Sequence, residues 1–368
     1  MSEQLYEHWA YYNPVKVFCG GLRSCLLNMS DENILLVTTP GFTSRGLTAE
    51  VIRWAGNCRV HIFDAVRPNP DVDELDGAVE SLGKLRFSFV LAIGGGSSID
   101  SAKAFSVALP QSSERPLSRI LRDKDELDQG AVIPVIAVPT TSGTGSEVTP
   151  YATIWDRAKG VKYSLAGEHI FPATAVLDPS LTLSLPYKET LYSGLDAISH
   201  ALESIWNLNR NFISELYAFA ALDLAISSLP AVLAEPANVI ARTNMQRASL
   251  FAGYAISITK TALAHAISYP LTAKLSIPHG LACSFTLTAI MKMLGTSDRV
   301  SDKDKQLFAK CQNMITGLKL SEEMQKYAES SVVFDLLPEM FEPSRIKNFC
   351  YETDEKYLSD IIRSSLDF

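Results

Sequence analysis

The 368-residue chain is short of the features that usually assign a protein at sight. Its six cysteines, Cys19, Cys25, Cys58, Cys283, Cys311 and Cys350, are scattered without a CxxC pair. A chain of this length needs no disulfide staples, so reduced thiols in a cytoplasmic protein are the simplest reading. No stretch approaches 18 uninterrupted apolar residues, and the start, MSEQLYEHWAYYNPVKV, lacks the basic opening and apolar run of a signal peptide. The expectation is a protein neither exported nor membrane-spanning. Basic residues are outnumbered, 33 Lys and Arg against 41 Asp and Glu, and the net charge of -8 disfavours nucleic acid. An anionic ligand would need a local basic pocket. Histidine is scarce, at six residues, and no internal repeat or low-complexity stretch interrupts the chain.

The length exceeds what one hydrophobic core usually serves, so two domains are expected. Hydrophobic residues make up 47% and charged residues 20%, ordinary for a folded globular protein. Through residues 1–185 short β-rich runs alternate with helical patterns: VKVF, NILLVTT, RVHIF, FSFVLAIGGG and AVIPVIAVPTT. Apolar runs without strict alternation suit strands covered on both faces, which predicts a doubly wound, Rossmann-like α/β domain with a parallel sheet. After LDPSLTLSLP the pattern turns to long helix-period segments poor in β-branched clusters, so residues 186–368 are expected to form an all-helical domain. The more polar stretch 300–335 is expected to hold mobile loops.

IGGGSSIDSAK (Ile93 to Lys103) follows an apolar strand and opens a helix. Gly94, Gly95 and Gly96 permit a tight turn in which backbone N–H groups, Ser97 and Ser98 face outward, an arrangement suited to a pyrophosphate. A plain strand-to-helix turn with a serine N-cap explains the same residues, and the spacing is not GxGxxG. A second loop, PTTSGTGSEVTPYATI, follows another strand and gathers Thr140, Thr141, Ser142, Thr144, Ser146 and Thr149 around two glycines. Such a loop is either a solvated turn or a cradle for phosphate and ribose, and two of them on one sheet favour a nucleotide.

Asp196 and His200, in SGLDAISHALE, stand four apart and project from one face of a helix. His265 and His279 lie downstream across a proline-interrupted connection. Taken singly, these residues read as a helix-turn carboxylate and buried, hydrogen-bonded histidines. Taken together, three imidazoles and a carboxylate form a ligand set for Fe(II), Zn(II) or Mn(II), and spacing alone leaves both readings open.

NPVKVFCGG, RPNPD, GGGSSIDSAK, PTTSGTGSEVTPYATI, LDPSLTLSLP, GLDAISHALE, HAISYPL and IPHG occur in this order, and together they resemble the iron-containing (group III) alcohol dehydrogenase family over nearly the whole chain. The resemblance implies the dehydroquinate synthase-like two-domain fold, with nicotinamide meeting metal-held substrate in the cleft between the domains. It implies Asp196, His200, His265 and His279 as metal ligands. Gly95, Gly96, Ser97 and Asp100 match the pyrophosphate loop, and Thr140, Thr141, Thr144 and Thr149 the second cofactor loop. Lys162, Leu181 and Asn69 match further cofactor positions. An N-terminal strand pairing across a homodimer is also implied.

Two positions depart from the family pattern. Thr39 stands where many members carry an aspartate that holds the ribose hydroxyls, so NADPH is expected to be accepted as well as NADH. Tyr269 stands four residues after the third ligand, where a second histidine is frequent; it is either a proton donor or a packing aromatic. HWAYYNPVKV, ITKTALAHAISYPLT and SIPHGLAC look most similar to reductases of phosphonoacetaldehyde, which make 2-hydroxyethylphosphonate. A phosphonate needs cations, and Lys260 and Arg210 are the candidates. A general alcohol, lactaldehyde or propanediol dehydrogenase, or a dehydroquinate-synthase-like metal lyase, are the competing readings.

Overall fold

The computed structural model describes residues 9–27, 29–83, 85–297, 300–341 and 343–366. The apolar runs form β1 (Lys16–Cys19), β2 (Asn33–Val37), β3 (Arg59–Phe63), β4 (Phe89–Gly94), β5 (Val135–Pro139) and β8 (Thr174–Leu177), which pair in parallel in the order β1-β8-β5-β4-β2-β3. Every residue of β4 is buried, as a central strand with both faces covered requires. The helices of this half are α1 (Leu22–Leu26), α2 (Pro40–Ser44), α3 (Leu47–Trp54), α4 (Val72–Leu82), α5 (Gly96–Ala108) and α6 (Pro116–Ser118). Two apolar clusters divide between the sheet's faces, one around Phe105, Val90 and Leu75 and the other around Leu22, Leu36 and Leu91.

The strand order reverses between β2 and β4. From β2 the chain steps outward to β3, while from β4 it steps the other way through β5 to β8. The carboxyl ends of β2 and β4 therefore border the crevice where open α/β sheets bind ligands.

Two parts of this half depart from the sequence expectation. Residues within the hydroxyl-rich loop enter an antiparallel hairpin, β6 (Tyr151–Asp156) with β7 (Val161–Ala166). The strand β8, whose short TAVL run is hidden beside LDPSLTLSLP, closes the gap between β1 and β5. The strand β1 pairs with β8 within the chain and forms one edge of the sheet; residues 1–8 lie outside the described residues.

The remainder is helical: α7 (Tyr187–Ile205), α8 (Phe212–Ala234), α9 (Val239–Thr259), α10 (Leu263–Leu275), α11 (His279–Ala282), α12 (Leu287–Gly295), α13 (Asp302–Thr316), α14 (Leu320–Gln325), α15 (Ser330–Asp335), α16 (Pro343–Ile346) and α17 (Glu355–Ser365). The polar stretch expected to form loops is mostly α13 to α15 instead. Leu307, Phe308, Cys311 and Ile315 of α13 share one buried face, and the remaining polar residues cover the outside of the bundle. The long helical pattern from Ala241 to Ser268 breaks into α9 and α10, which meet at 104°. By length and composition α8 would suffice to cross a membrane, but it packs between α7 and α9 through Ala218, Ala221, Leu222, Ala225 and Leu229.

The second glycine loop is pressed against the helices. A Cβ on Gly145, whose φ is +62°, would lie 2.4 Å from the Gly253 Cα of α9, and one on Gly143 would lie 2.5 Å from the Ser193 oxygen of α7. Val148 of the loop packs with Leu250 of α9 and Leu177 of β8. The Gln246 amide of α9 donates to the Pro139 and Asp178 carbonyls at 3.2 and 3.4 Å. The sheet and the bundle therefore meet at this loop.

Candidate metal and dinucleotide site

Asp196 and His200 come from successive turns of α7, His265 from the first turn of α10, and His279 from the start of α11. The elbow between α9 and α10 brings His265 back over α7. The Nε2 atoms of His200 and His265 each lie 3.5 Å from Asp196 Oδ1, and that of His279 lies 3.8 Å away. The His200 and His265 rings stack at a centroid distance of 4.8 Å. All four residues proposed from sequence thus converge on one point.

The outer contacts fix which nitrogen faces that point. His265 Nδ1 is 2.8 Å from Glu203 Oε2, and an acceptor there requires the proton on Nδ1, leaving the Nε2 lone pair turned inward. His200 Nδ1 faces the Gly143 carbonyl at 3.3 Å, which selects the same tautomer. The His265 Nε2 atom is buried and has no hydrogen-bond partner. Buried polar atoms rarely go unsatisfied, and an inward lone pair beside two further imidazoles and a carboxylate fits a divalent first-row metal.

Electrostatics favour an ionised Asp196 and neutral rings at His200 and His279. Burial would raise the Asp196 carboxyl, yet His200, His265 and His279 together hold it below the usual carboxylate range. Burial lowers His200 and outweighs the pull of Asp196, so the ring stays a neutral donor. Burial also pushes His279 down, with the charges of His265, Lys162 and His200 acting in the same sense. His265 is raised: burial lowers it, but Glu203 and Asp196 win.

Two residues of the site carried no role in the sequence reading. Glu203, fully buried, accepts from the backbone N–H groups of Ala262 (2.8 Å), Ala264 (2.6 Å) and His265 (3.2 Å) as well as from the His265 ring. It caps the start of α10 and orients the ligand with one carboxylate. Its signal was position: seven residues after Asp196 it returns to the same face of α7. Cys283, four residues after His279, joins Asp196, His265 and His279 in a cluster whose ligand atoms lie within 4.8 Å of one another. Burial pushes its thiol well above the ordinary range, so it stays protonated and donates to Asp196 Oδ1 at 3.5 Å. The thiol thereby supports the carboxylate, and His200 Nε2, 3.5 Å from the same oxygen, completes the set of four residues expected from sequence.

The two glycine loops lie side by side at the end of the sheet. The Thr140 N–H donates to the Gly94 carbonyl at 2.9 Å, Thr141 stands against Gly95, and a Cβ on Gly96 would lie 2.7 Å from Thr144 Cγ2. Ser97 Oγ accepts from the Asn69 N–H at 3.3 Å, which sets Asn69 beside the first loop. Asp100 has a different place from the outward-facing loop groups. Its carboxylate accepts from Ser146 Oγ (2.7 Å) and the Thr153 N–H (2.9 Å), joining α5 to the second loop rather than facing a pyrophosphate. Thr149 is buried, and its carbonyl accepts from the buried Lys103 ammonium at 2.8 Å. Leu181 packs into the apolar cluster on one face of the sheet.

Lys162 of β7 lies over the Tyr269 ring at 4.7 Å and the Trp155 ring at 5.9 Å, and these two rings stack at 6.1 Å. Tyr269 thus packs against Trp155 and under the Lys162 ammonium. Arg210 is corrected. Its guanidinium is held by Asp304 at 2.9 Å and Glu215 at 2.9 Å and donates to the Ile205 carbonyl, so it is a structural cation and not a phosphonate site. Lys260 is exposed at the elbow, with φ +62°.

The family model for iron-containing alcohol dehydrogenase matches residues 18–179, and that for the C-terminal part of the Fe-containing alcohol dehydrogenase family matches residues 190–363. Phosphonoacetaldehyde reductase of Streptomyces viridochromogenes is 34% identical over 269 residues, covering 70% of this chain and 65% of that protein. The 1-propanol dehydrogenase of Salmonella typhimurium is 29% identical, covering 79% of this chain and 75% of that protein. The crystal structure of sulfoacetaldehyde reductase from Bifidobacterium kashiwanohense in complex with NAD+ superposes with a TM-score of 0.87 at 29% identity, covering 98% of this chain and 99% of that one. With both halves matched and the four metal-ligand positions brought to one point, the chain belongs to the iron-containing alcohol dehydrogenase family.

Proposed function

We propose that the protein is a metal-dependent NAD(P)H oxidoreductase that interconverts a small aldehyde and its primary alcohol, with phosphonoacetaldehyde and 2-hydroxyethylphosphonate as the pair. The observation that carries the reaction class is the orphaned His265 Nε2 among His200, His279 and Asp196, at the foot of two adjoining glycine loops. Bound there, a divalent metal such as iron supplies Lewis acidity toward a carbonyl oxygen, and the dinucleotide supplies or accepts the hydride. The chain's own contribution is orientation. Glu203 and the Gly143 carbonyl hold the tautomers of His265 and His200, and the glycine loops offer N–H groups to a pyrophosphate.

An anionic substrate is supported by Lys162, whose positive charge reaches His279, and by the 34% identity to a phosphonoacetaldehyde reductase. An uncharged alcohol is the second reading, favoured by the Trp155 and Tyr269 stack and the propanol dehydrogenase relative. The test is anaerobic purification, metal analysis, and NADPH and NADH oxidation with phosphonoacetaldehyde, sulfoacetaldehyde, glycolaldehyde, lactaldehyde and propanal. Phosphonoacetaldehyde is expected to give the highest kcat/KM. Turnover of glycolaldehyde or propanal without turnover of phosphonoacetaldehyde contradicts the phosphonate assignment, and lyase chemistry on NAD with no net cofactor turnover contradicts the class. We propose a homodimer formed beside the free edge of β1, checked by light scattering on the eluting protein.

A further inference from the structure

We infer that Cys283 is a fifth donor of the metal centre, and that a thiophilic ion, Zn(II), is held by Asp196, His265, His279 and the Cys283 thiolate, with His200 given up. The inference rests on the metal-site reading above and adds a second ligand set, one that closes the site instead of leaving it open to a carbonyl.

His279 opens α11 and Cys283 caps it four residues on, so the two side chains leave the same face of one helical turn. Cys283 is fully buried, and its Sγ lies 3.5 Å from Asp196 Oδ1, the same distance as His265 Nε2 and nearer than His279 Nε2 at 3.8 Å. A tetrahedral zinc with its usual bond lengths to sulfur, nitrogen and oxygen keeps its ligand atoms roughly 3.3–3.6 Å apart. The ligand atoms of Asp196, His265, His279 and Cys283 all lie within 4.8 Å of one another, so a small inward shift closes the set. His265 Nε2, buried and without a hydrogen-bond partner, already faces Asp196 within it.

The sulfur decides which ion prefers this set. Soft thiolate ligands select zinc, whereas imidazole and carboxylate serve iron(II) without it. His200 is the imidazole to release, because its Nδ1 reaches only the Gly143 carbonyl, at 3.3 Å. His265 is fixed by Glu203 at 2.8 Å, and His279 shares its helical turn with Cys283. On binding, the Cys283 S–H bond breaks, a Zn–S bond forms, and the proton passes to the solvent buffer; nothing is oxidised or reduced. Four protein ligands fill a tetrahedral zinc, as in structural zinc sites, and leave no position for a substrate oxygen. The zinc form is therefore an inactive one, and the thiol makes the protein sensitive to which metal loads it.

The test is X-ray absorption of the full chain loaded with Zn(II) or with Fe(II), beside chelator competition for the affinity of each, readouts that do not need turnover. One sulfur neighbour is expected around zinc and none around iron. Co(II), standing in for zinc, is expected to show a sulfur-to-metal charge-transfer band that Cys283→Ser removes while one cobalt per chain stays bound. Cys283→Ser is also expected to weaken Zn(II) about tenfold or more and Fe(II) by under about threefold, a difference that a thiol merely steadying Asp196 would not produce. Zinc bound with no sulfur neighbour, sulfur around iron as well, or equal losses for the two ions in Cys283→Ser overturns the inference and leaves the metal-site reading standing. Failure of the wild-type chain to bind either ion overturns both.

Discussion

His265 concentrates the physics of the site in one ring, with Nδ1 committed to a buried carboxylate and Nε2 facing Asp196 Oδ1 at 3.5 Å without a hydrogen bond. Replacing it by alanine removes a ligand and should abolish metal binding and turnover while leaving dinucleotide affinity within about threefold, since the glycine loops are untouched; metal analysis and calorimetric titration check this. Glu203→Gln is subtler. An amide cannot accept from both the His265 ring and three backbone N–H groups at once, because one of its two termini is a donor. Metal affinity should fall about 10- to 100-fold, the usual consequence of losing a group that orients a ligand. Competition with a chelator measures it, and affinity equal to wild type contradicts the role assigned to Glu203.

Among the elements, the loop after β5 does the most, because it joins the first glycine loop on one side and the helical bundle on the other. Lys103 of α5 lies fully buried beneath it and donates to the Ser146, Thr149 and Tyr151 carbonyls at 2.7, 2.8 and 2.7 Å, and to Ser146 Oγ at 3.1 Å. Burial pushes its ammonium down to about 8, opposed by Asp100 and Glu147, so the charge is held by these contacts. Lys103→Met fits the volume but strands three carbonyls, and should cost about 3 kcal/mol of stability and weaken dinucleotide binding. Urea denaturation and titration read both effects. Gly253→Ala should also destabilise, by about 1–3 kcal/mol, because its Cβ would fall 2.9 Å from the Gly145 Cα and 2.7 Å from Val148 Cγ2.

What could be read from sequence divides at the same scale. The meeting of Asp196, His200, His265 and His279 was legible through the family resemblance, since their spacing alone fitted buried, hydrogen-bonded side chains equally well. The hairpin β6–β7 was hidden by threonines and serines that suit a loop as well as a strand, and α13 by a polar outer face that outweighs its buried stripe of Leu307, Phe308, Cys311 and Ile315. Glu203 was present in the quoted motif, but its partners arrive about sixty residues later, so only the folded elbow discloses its task. Arg210 misled because a cation near a ligand helix is equally suited to Asp304 and Glu215, and only packing decides.

Across the whole molecule, charge links distant segments. Arg122 holds Asp73 at the start of α4 and the buried Asp156 at the end of β6, at 2.8 and 2.7 Å. Hydrogen bonding to Arg122 is the main cause that lowers both carboxyls. A carboxylate depressed in the folded state contributes stability above its ordinary range near pH 4 and loses it as the pH falls through the folded value. Arg122→Gln should therefore cost about 2 kcal/mol at pH 7 and flatten the acid limb below about pH 4, read from melting temperature against pH. This network lies apart from the metal ligands, so its loss should leave metal stoichiometry intact.

The central claim is that Asp196, His200, His265 and His279 hold a divalent metal that aldehyde reduction requires. Its most direct test is anaerobic titration of chelator-stripped protein with Fe(II), recording bound metal and aldehyde-dependent NADPH oxidation together. Saturation is expected at one ion per chain, with activity rising in proportion, and neither response in His265→Ala. Full activity in the stripped protein, or metal uptake and turnover unchanged in His265→Ala, would contradict it.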